Sequence, residues 1–248
     1  MKICLAGSSA VTEVNRKEFE KVPYILESFY TFKDWQKPLI KKADLFLLDS
    51  GAFSFLNSGK KNINWQEYID KYCDFIIEND VKYFFELDID AIVGYEKVKE
   101  IRKYIETRTG KKCIPVWHRE RGKEDFIQMC KDYDYVAIGG LVGMGYSKKH
   151  WKYFPWFIKT AHENGAKIHA LGFTALSGLK KYHFDTVDST SWKSGNRFGT
   201  LYQFKNGDMV QLKKKPNKRL VSGERYSEVE KFVLDEWIKY QKYADKFY

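Results

Sequence analysis

Seven short runs of apolar residues punctuate the first 190 positions: "KICLAG" (2–7), "DLFLLDSG" (44–51), "KYFFELDID" (82–90), "CIPVWH" (113–118), "YVAIGGL" (135–141), "KIHALGF" (167–173) and "FDTVDST" (184–190). Each is too short for a helix, and apolar residues at successive positions predict a strand buried on both faces. Between the runs the apolar spacing changes to the helical period, as in Trp65, Tyr68, Ile69, Tyr72, Cys73, Ile76 and in Val98, Ile101, Ile105. This alternation predicts an α/β fold with a parallel sheet wrapped by helices. Seven such units before residue 190 fit a (β/α)8 TIM-type barrel better than an open doubly wound sheet, whose usual GxGxxG loop is missing from "AGSSAVTEVN" after the first run. The eighth unit does not show itself as a strand and helix. "LYQFKNGDMVQLKKKP" reads as a hairpin turning at Asn206-Gly207, and "RYSEVEKFVLDEWIKYQKYADKF" as a closing C-terminal helix. No repeat, low-complexity tract or linker divides the chain, so residues 1–248 are expected to form a single barrel domain.

Charge changes the picture more than composition does. Lys and Arg number 43 against 33 Asp and Glu, a net +10, which favours a polyanionic partner and puts nucleic acid ahead of a membrane. A lysine-rich but ordinary surface gives the same bias. "MKICLAGSSAVTEVN" has only a short apolar run before glycine and serines, so neither a signal peptide nor a membrane span is expected, and the cytoplasm is the expected location. Cys4, Cys73, Cys113 and Cys130 form no CxxC pair and have no nearby histidine, which predicts reduced core thiols rather than a zinc site. No metal and no cofactor are expected.

In a barrel of this kind the loops after the strands form the catalytic face, so a polar residue that closes an apolar strand points toward a substrate. Three runs close on aspartate: Asp49, Asp88 with Asp90, and Asp188. The others close on Trp117 and His118, on Gly139-Gly140 and on Leu171-Gly172. One strand-end aspartate is as readily a helix N-cap or turn former; three on one rim favour a carboxylate site. Glycines behind such residues, in "DSGAF" and "AIGGLVG", let backbone N–H groups approach a flat ligand. His118 reads equally as a catalytic base or a structural histidine, while Trp151 and Trp156 flank a helical pattern and read as packing.

The segments "LLDSGAFSF", "FELDID", "PVWHRERGKEDF", "YVAIGGLVG", "HALGF" and "FDTVDSTSW", in that order, resemble the tRNA-guanine transglycosylases across roughly residues 44 to 200. The resemblance implies a base exchange in which an aspartate attacks C1′ of a nucleotide, guanine leaves, and a free 7-deazaguanine base takes its place. It assigns the nucleophile to Asp188, with Asp185 the less critical carboxylate of the pair, and the acid/base role to Asp49. Asp88, with the Gly139-Gly140-Leu141 turn, would bind the guanine-like edge, and Phe53 and Leu171 would sandwich the ring, with Gly172 and His118 beside it. There are departures. Ala52 and Ser54 replace a glycine and a glutamine of the family's DSGGFQ, Trp117 or His118 stands at another glutamine, and Ser189-Thr190-Ser191-Trp192 replaces Pro-Thr-Arg. The family's zinc-binding extension, which helps hold tRNA, is absent. Short zinc-less relatives of bacteriophages and bacterial modification clusters act on DNA, and "VDSTSW" is similar to that branch, so DNA is expected ahead of tRNA.

Exchange without strand breakage requires leaving and entering bases to use the same face of the sugar, which a double displacement through a covalent carboxylate ester provides. Two acids in one pocket push their pKa values apart, which suits one nucleophile and one acid. In a duplex the target base must first leave the stack, at a cost of a few kcal/mol, and aromatic residues near a basic rim would offset this. Candidate rim segments are "HRER", "YSKKHWKYF", "SWKSGNRF" and "KKKPNKR", with Arg119, Arg197 and Lys193 as the expected contacts. The alternatives are a tRNA-directed transglycosylase, a glycosylase that only removes the base, and a non-catalytic nucleic-acid-binding barrel subunit.

Overall fold

Eight parallel strands form one sheet: β1 (Lys2–Ala6), β2 (Tyr24–Ser28), β3 (Leu45–Asp49), β4 (Tyr83–Phe84), β5 (Val116–Trp117), β6 (Tyr135–Ile138), β7 (Lys167–Ala170) and β8 (Thr186–Ser189). Their order is β4-β3-β2-β1-β8-β7-β6-β5, so each strand lies beside its sequence neighbours and β8 returns to β1. The remaining gap closes through a parallel bridge between Phe85 and Ile114, with Ile114 N–H donating to Phe84 O at 2.8 Å and Glu86 N–H to Ile114 O at 3.0 Å. The result is a (β/α)8-type barrel. This computed structural model describes residues 1–52, 64–140, 148–173, 175–195, 200–212 and 225–248.

The strand pleat sorts the apolar runs into two cores. Cys4 and Ala6 of β1, Leu26, Leu47, Phe85, Val116 and Ala137 form the interior cluster, while Ile3, Leu5, Ile25, Leu48, Val136, Ile168 and Val187 pack outward under the helices. Both sets are buried, which is why the strands are apolar at successive positions. Fully burying one such side chain stabilises by ~1.5–3 kcal/mol. The helix Trp65–Glu78 begins where the Asn64 side chain accepts from Glu67 N–H at 3.2 Å, and its predicted stripe of Ile69, Tyr72, Cys73 and Ile76 is buried. Val98, Ile101 and Ile105 are likewise the buried face of the helix Tyr95–Thr109. All four cysteines are buried and free, as the sequence predicts.

The eighth barrel strand is not near the C-terminus. It is β2, the segment "YILES" that follows β1, which the apolar pattern passes over because Glu27 interrupts it. Residues after 200 supply instead the antiparallel hairpin β9 (Tyr202–Lys205) and β10 (Asp208–Gln211), turning at Asn206-Gly207, where both φ angles are positive, as expected. The helix Arg225–Phe247 then runs along β1 and β2. Near its start Glu230 accepts from Thr12 N–H at 3.0 Å and from Asn15 Nδ2 at 2.9 Å. Further on, Gln241 Nε2 donates to Ile3 O and Tyr24 O, and Asp245 pairs with Lys2 at 2.9 Å. Among the described residues no helix is long and apolar enough to cross a membrane.

Candidate active site

The turn after β3 shows why "DSGAF" reads as it does. Asp49 ends the strand beside Ser28 of β2, and the next turn brings Gly51 N–H within 3.1 Å of Asp49 Oδ2. Gly51 sits at φ +84°, and a Cβ there would lie 2.6 Å from Tyr30 Cβ and 3.0 Å from the Tyr68 hydroxyl, so only glycine fits. The Tyr68 hydroxyl itself donates to Ser50 O at 2.5 Å and ties the turn to the helix Trp65–Glu78. Burial, then the charge of Asp88 and, further, that of Asp188, raise the Asp49 pKa to about 7, against the opposing Gly51 N–H. The carboxyls at the ends of β3 and β8, and the one following β4, lie at the same C-terminal end of the parallel strands, the barrel mouth.

Asp88 is itself raised by burial, and its hydrogen bond with His118 pulls the other way. His118 Nε2 lies 2.9 Å from Asp88 Oδ2. Burial alone would lower the His118 pKa, but the hydrogen bond to Asp88 and the charge of that carboxylate leave it raised. The imidazole lies against Gly139, where a Cβ would meet His118 Cε1 at 2.7 Å and Val116 Cγ1 at 2.8 Å. Gly140, at φ +69°, completes the turn after β6. The neighbouring Trp117 faces outward, edge-on to Phe126 and tilted against Phe157, with its indole N–H donating to Gly122 O at 2.6 Å. Behind Asp88 lies a buried ion network. Glu86 accepts at 2.7 Å from each of Arg102 Nε, Arg121 Nη1 and Val116 N–H, and Arg121 grips Asp90 with Nε and Nη2 at 2.9 and 2.7 Å. Asp90, paired with Asp88 in the sequence reading, thus holds an arginine and not a ligand.

Asp188 closes β8 with 11% of its side chain exposed. Its Oδ1 accepts from Gly172 N–H and faces His169 Nε2 at 3.4 Å. His169, from β7, is fully buried and was not singled out from the sequence, although it lies within "HALGF". The Gly172 N–H is therefore engaged with Asp188, and Leu171 packs against the barrel interior. Asp185, by contrast, accepts from Ile168 N–H at 2.8 Å and meets His162 at 2.9 Å, binding β7 to β8 before β8 begins.

Lys193 requires a correction. It is buried, with 8% of its surface exposed, and its ammonium lies against Gly7, where a Cβ would come within 2.8 Å of Nζ. A side chain so enclosed is not a rim contact for nucleic acid. Its charge acts instead on Glu27, whose pKa burial raises to about 7 against Ser8, which donates its N–H to Oε1 at 2.8 Å, and then Lys193. Arg119 is exposed, on the loop that follows β5. Trp151 packs on Phe154, Phe173 and Tyr182, and Trp156 on Phe126 and Phe157, as expected of core residues. Phe53, Leu141 and Arg197 lie outside the described residues. Among the described residues there is no cluster of three metal-ligating side chains.

This is a barrel mouth ringed by carboxyls. No family model and no curated protein matches the chain. Its fold is similar to that of a putative fructose-1,6-biphosphate aldolase from Coccidioides immitis, with a TM-score of 0.54 at 9% identity over 99% of this chain and 90% of that one. Lower similarities are to QR15, described as an aldolase (TM-score 0.48, 13% identity, 77% of this chain and 89% of that one), and to the carboxyl transferase domain of Rhizobium etli pyruvate carboxylase (0.47, 11%, 98% and 48%). At such identities the likeness is one of fold alone. The resemblance to guanine transglycosylases rests on the sequence motifs.

Proposed function

We propose that this chain is an enzyme, a transglycosylase that exchanges guanine in DNA for a free 7-deazaguanine base. One observation supports the reading: Asp49 ends β3, Asp188 lies near the end of β8 and Asp88 follows β4, so three carboxyls sit at the C-terminal end of the parallel strands, where burial and the neighbouring carboxylates push Asp49 up to about 7. That arrangement supplies a nucleophile, an acid and a base-binding acceptor. In the first step an Asp188 oxygen attacks C1′ as the C1′–N9 bond breaks, and the departing guanine takes its proton from Asp49. In the second, the Asp49 carboxylate takes a proton from the entering base, whose nitrogen attacks C1′ and releases Asp188. Two inversions give net retention. Asp88, oriented by His118, accepts from the N1–H and 2-amino donors of a guanine-like ring, a pattern adenine does not offer. The basic balance of the chain favours a polyanionic substrate.

The test incubates the enzyme with guanine-containing duplex DNA or tRNA and a 7-deazaguanine base, then digests to nucleosides. A modified deoxynucleoside is expected. Modified tRNA alone would move the assignment to the tRNA enzymes, abasic sites to a glycosylase, and salt-sensitive binding without either to a binding subunit. Asp188→Asn is expected to lower exchange by at least about 10⁴-fold and to trap no covalent adduct. Full exchange by that variant would refute its role. The first step is expected to slow as pH rises through about 7, where Asp49 loses the proton it donates.

A further inference from the structure

Asp188 presents two oxygens that differ in their surroundings. Oδ1 is engaged by Gly172 N–H and faced by His169 Nε2, whereas Oδ2 accepts no hydrogen bond among the described residues. The histidine belongs to a buried chain. Its Nδ1 lies 2.7 Å from Thr186 Oγ1, which in turn meets the Tyr135 hydroxyl, and its ring packs edge-on against Phe85. Strand register builds this arrangement, because His169 of β7 is paired with Thr186 of β8, two residues before Asp188 and on the same face.

The chain also selects a tautomer. If the Tyr135 hydroxyl donates to Thr186 Oγ1, the single threonine proton goes to His169 Nδ1, and the imidazole carries its proton on Nε2, toward Asp188. The reverse order would set a bare Nε2 lone pair against a carboxylate oxygen in a fully buried site, which is unfavourable. The 3.4 Å separation is long for a hydrogen bond, and contacts of this kind tighten in the reacting complex.

We propose that His169 is a positioning residue that, together with Gly172 N–H, pins Oδ1 of Asp188 and leaves Oδ2 as the oxygen that attacks C1′. This rests on the transglycosylase reading for the identity of the reaction, but not for the hydrogen-bond chain itself. A carboxylate held by one oxygen keeps its free oxygen at a fixed angle to the sugar, which raises the fraction of productive encounters without touching the base.

Two measurements test it. With ¹⁵N-histidine labelling and His169→Gln used for assignment, the His169 resonances are expected to show the proton on Nε2; a proton on Nδ1 would overturn the proposal. In exchange assays, His169→Leu is expected to lower kcat roughly 10- to 100-fold with KM for the free base unchanged. His169→Gln, which keeps an N–H donor, is expected to recover part of the loss. An unchanged kcat, or a loss confined to KM, would overturn it. Thr186→Val, which frees the tautomer while leaving the histidine in place, carries the kinetic test should His169→Leu not fold, with the same expected loss and the same overturning results. A wild-type protein that exchanges no base would defeat the transglycosylase reading alone, since the resonance measurement still decides the role of His169.

Discussion

Gly139 has no room for a methyl group, because the His118 imidazole and a Val116 methyl occupy the space a Cβ would take. The absence of a side chain there leaves room for the imidazole, which reaches Asp88. Gly139→Ala is expected to displace His118 and weaken the Asp88 contact. Steady-state kinetics should show KM for the free base rising about 10-fold, the worth of one hydrogen bond to a charged group, with a smaller change in kcat. Gly51 meets a different demand, a positive φ that aims its N–H at Asp49. Gly139 acts on Asp88 through His118 by yielding space, and Gly51 acts on Asp49 directly through its own N–H.

Buried charges join the segments after β4 and β5. Glu86 is fully buried, with Arg102 from the helix Tyr95–Thr109 on one oxygen and Arg121 from the loop after β5 on the other. Tyr95 lies against the Arg121 guanidinium at 4.2 Å, and its hydroxyl donates to Asp125 at 2.7 Å. Removing one partner of such a network leaves an uncompensated buried charge, which is more costly than never having built it. Arg121→Ala is therefore expected to destabilise the fold by about 3–5 kcal/mol in urea unfolding, while Arg119→Ala on the same loop, exposed and outside the network, should change stability by less than about 0.5 kcal/mol.

Stability of the whole molecule carries the mark of Glu27. Its pKa is raised from 4.5 to about 7, so the folded chain holds a proton that the unfolded chain releases between those values. The stabilising contribution is complete below about pH 4.5 and fades as pH rises through about 7. Thermal or urea unfolding from pH 5 to 8 should show stability falling, with Glu27 accounting for on the order of 2–3 kcal/mol of the fall. Glu27→Gln, which cannot ionise, should flatten that part of the profile. A slope unchanged by the substitution would show that Glu27 does not titrate in this window.

The sequence by itself determined seven of the eight strands, the barrel class, the hairpin turn at Asn206-Gly207, the closing helix and the place of Asp49 and Asp188 toward the ends of their strands, because each follows from local periodicity or from one residue's place at the end of an apolar run. Tertiary structure decided the rest. β2 escaped the pattern because a charged residue within a strand looks like a break until Ser8, 19 residues away, is seen to donate to it. Lys193 read as a surface cation because only the fold buries it, bringing it against Gly7 from the far end of the chain. His169 gained its place beside Asp188 from the register between β7 and β8. Apolar spacing specifies which face a residue takes; it does not specify which distant polar group will meet it there, and in this barrel mouth those meetings set the charges.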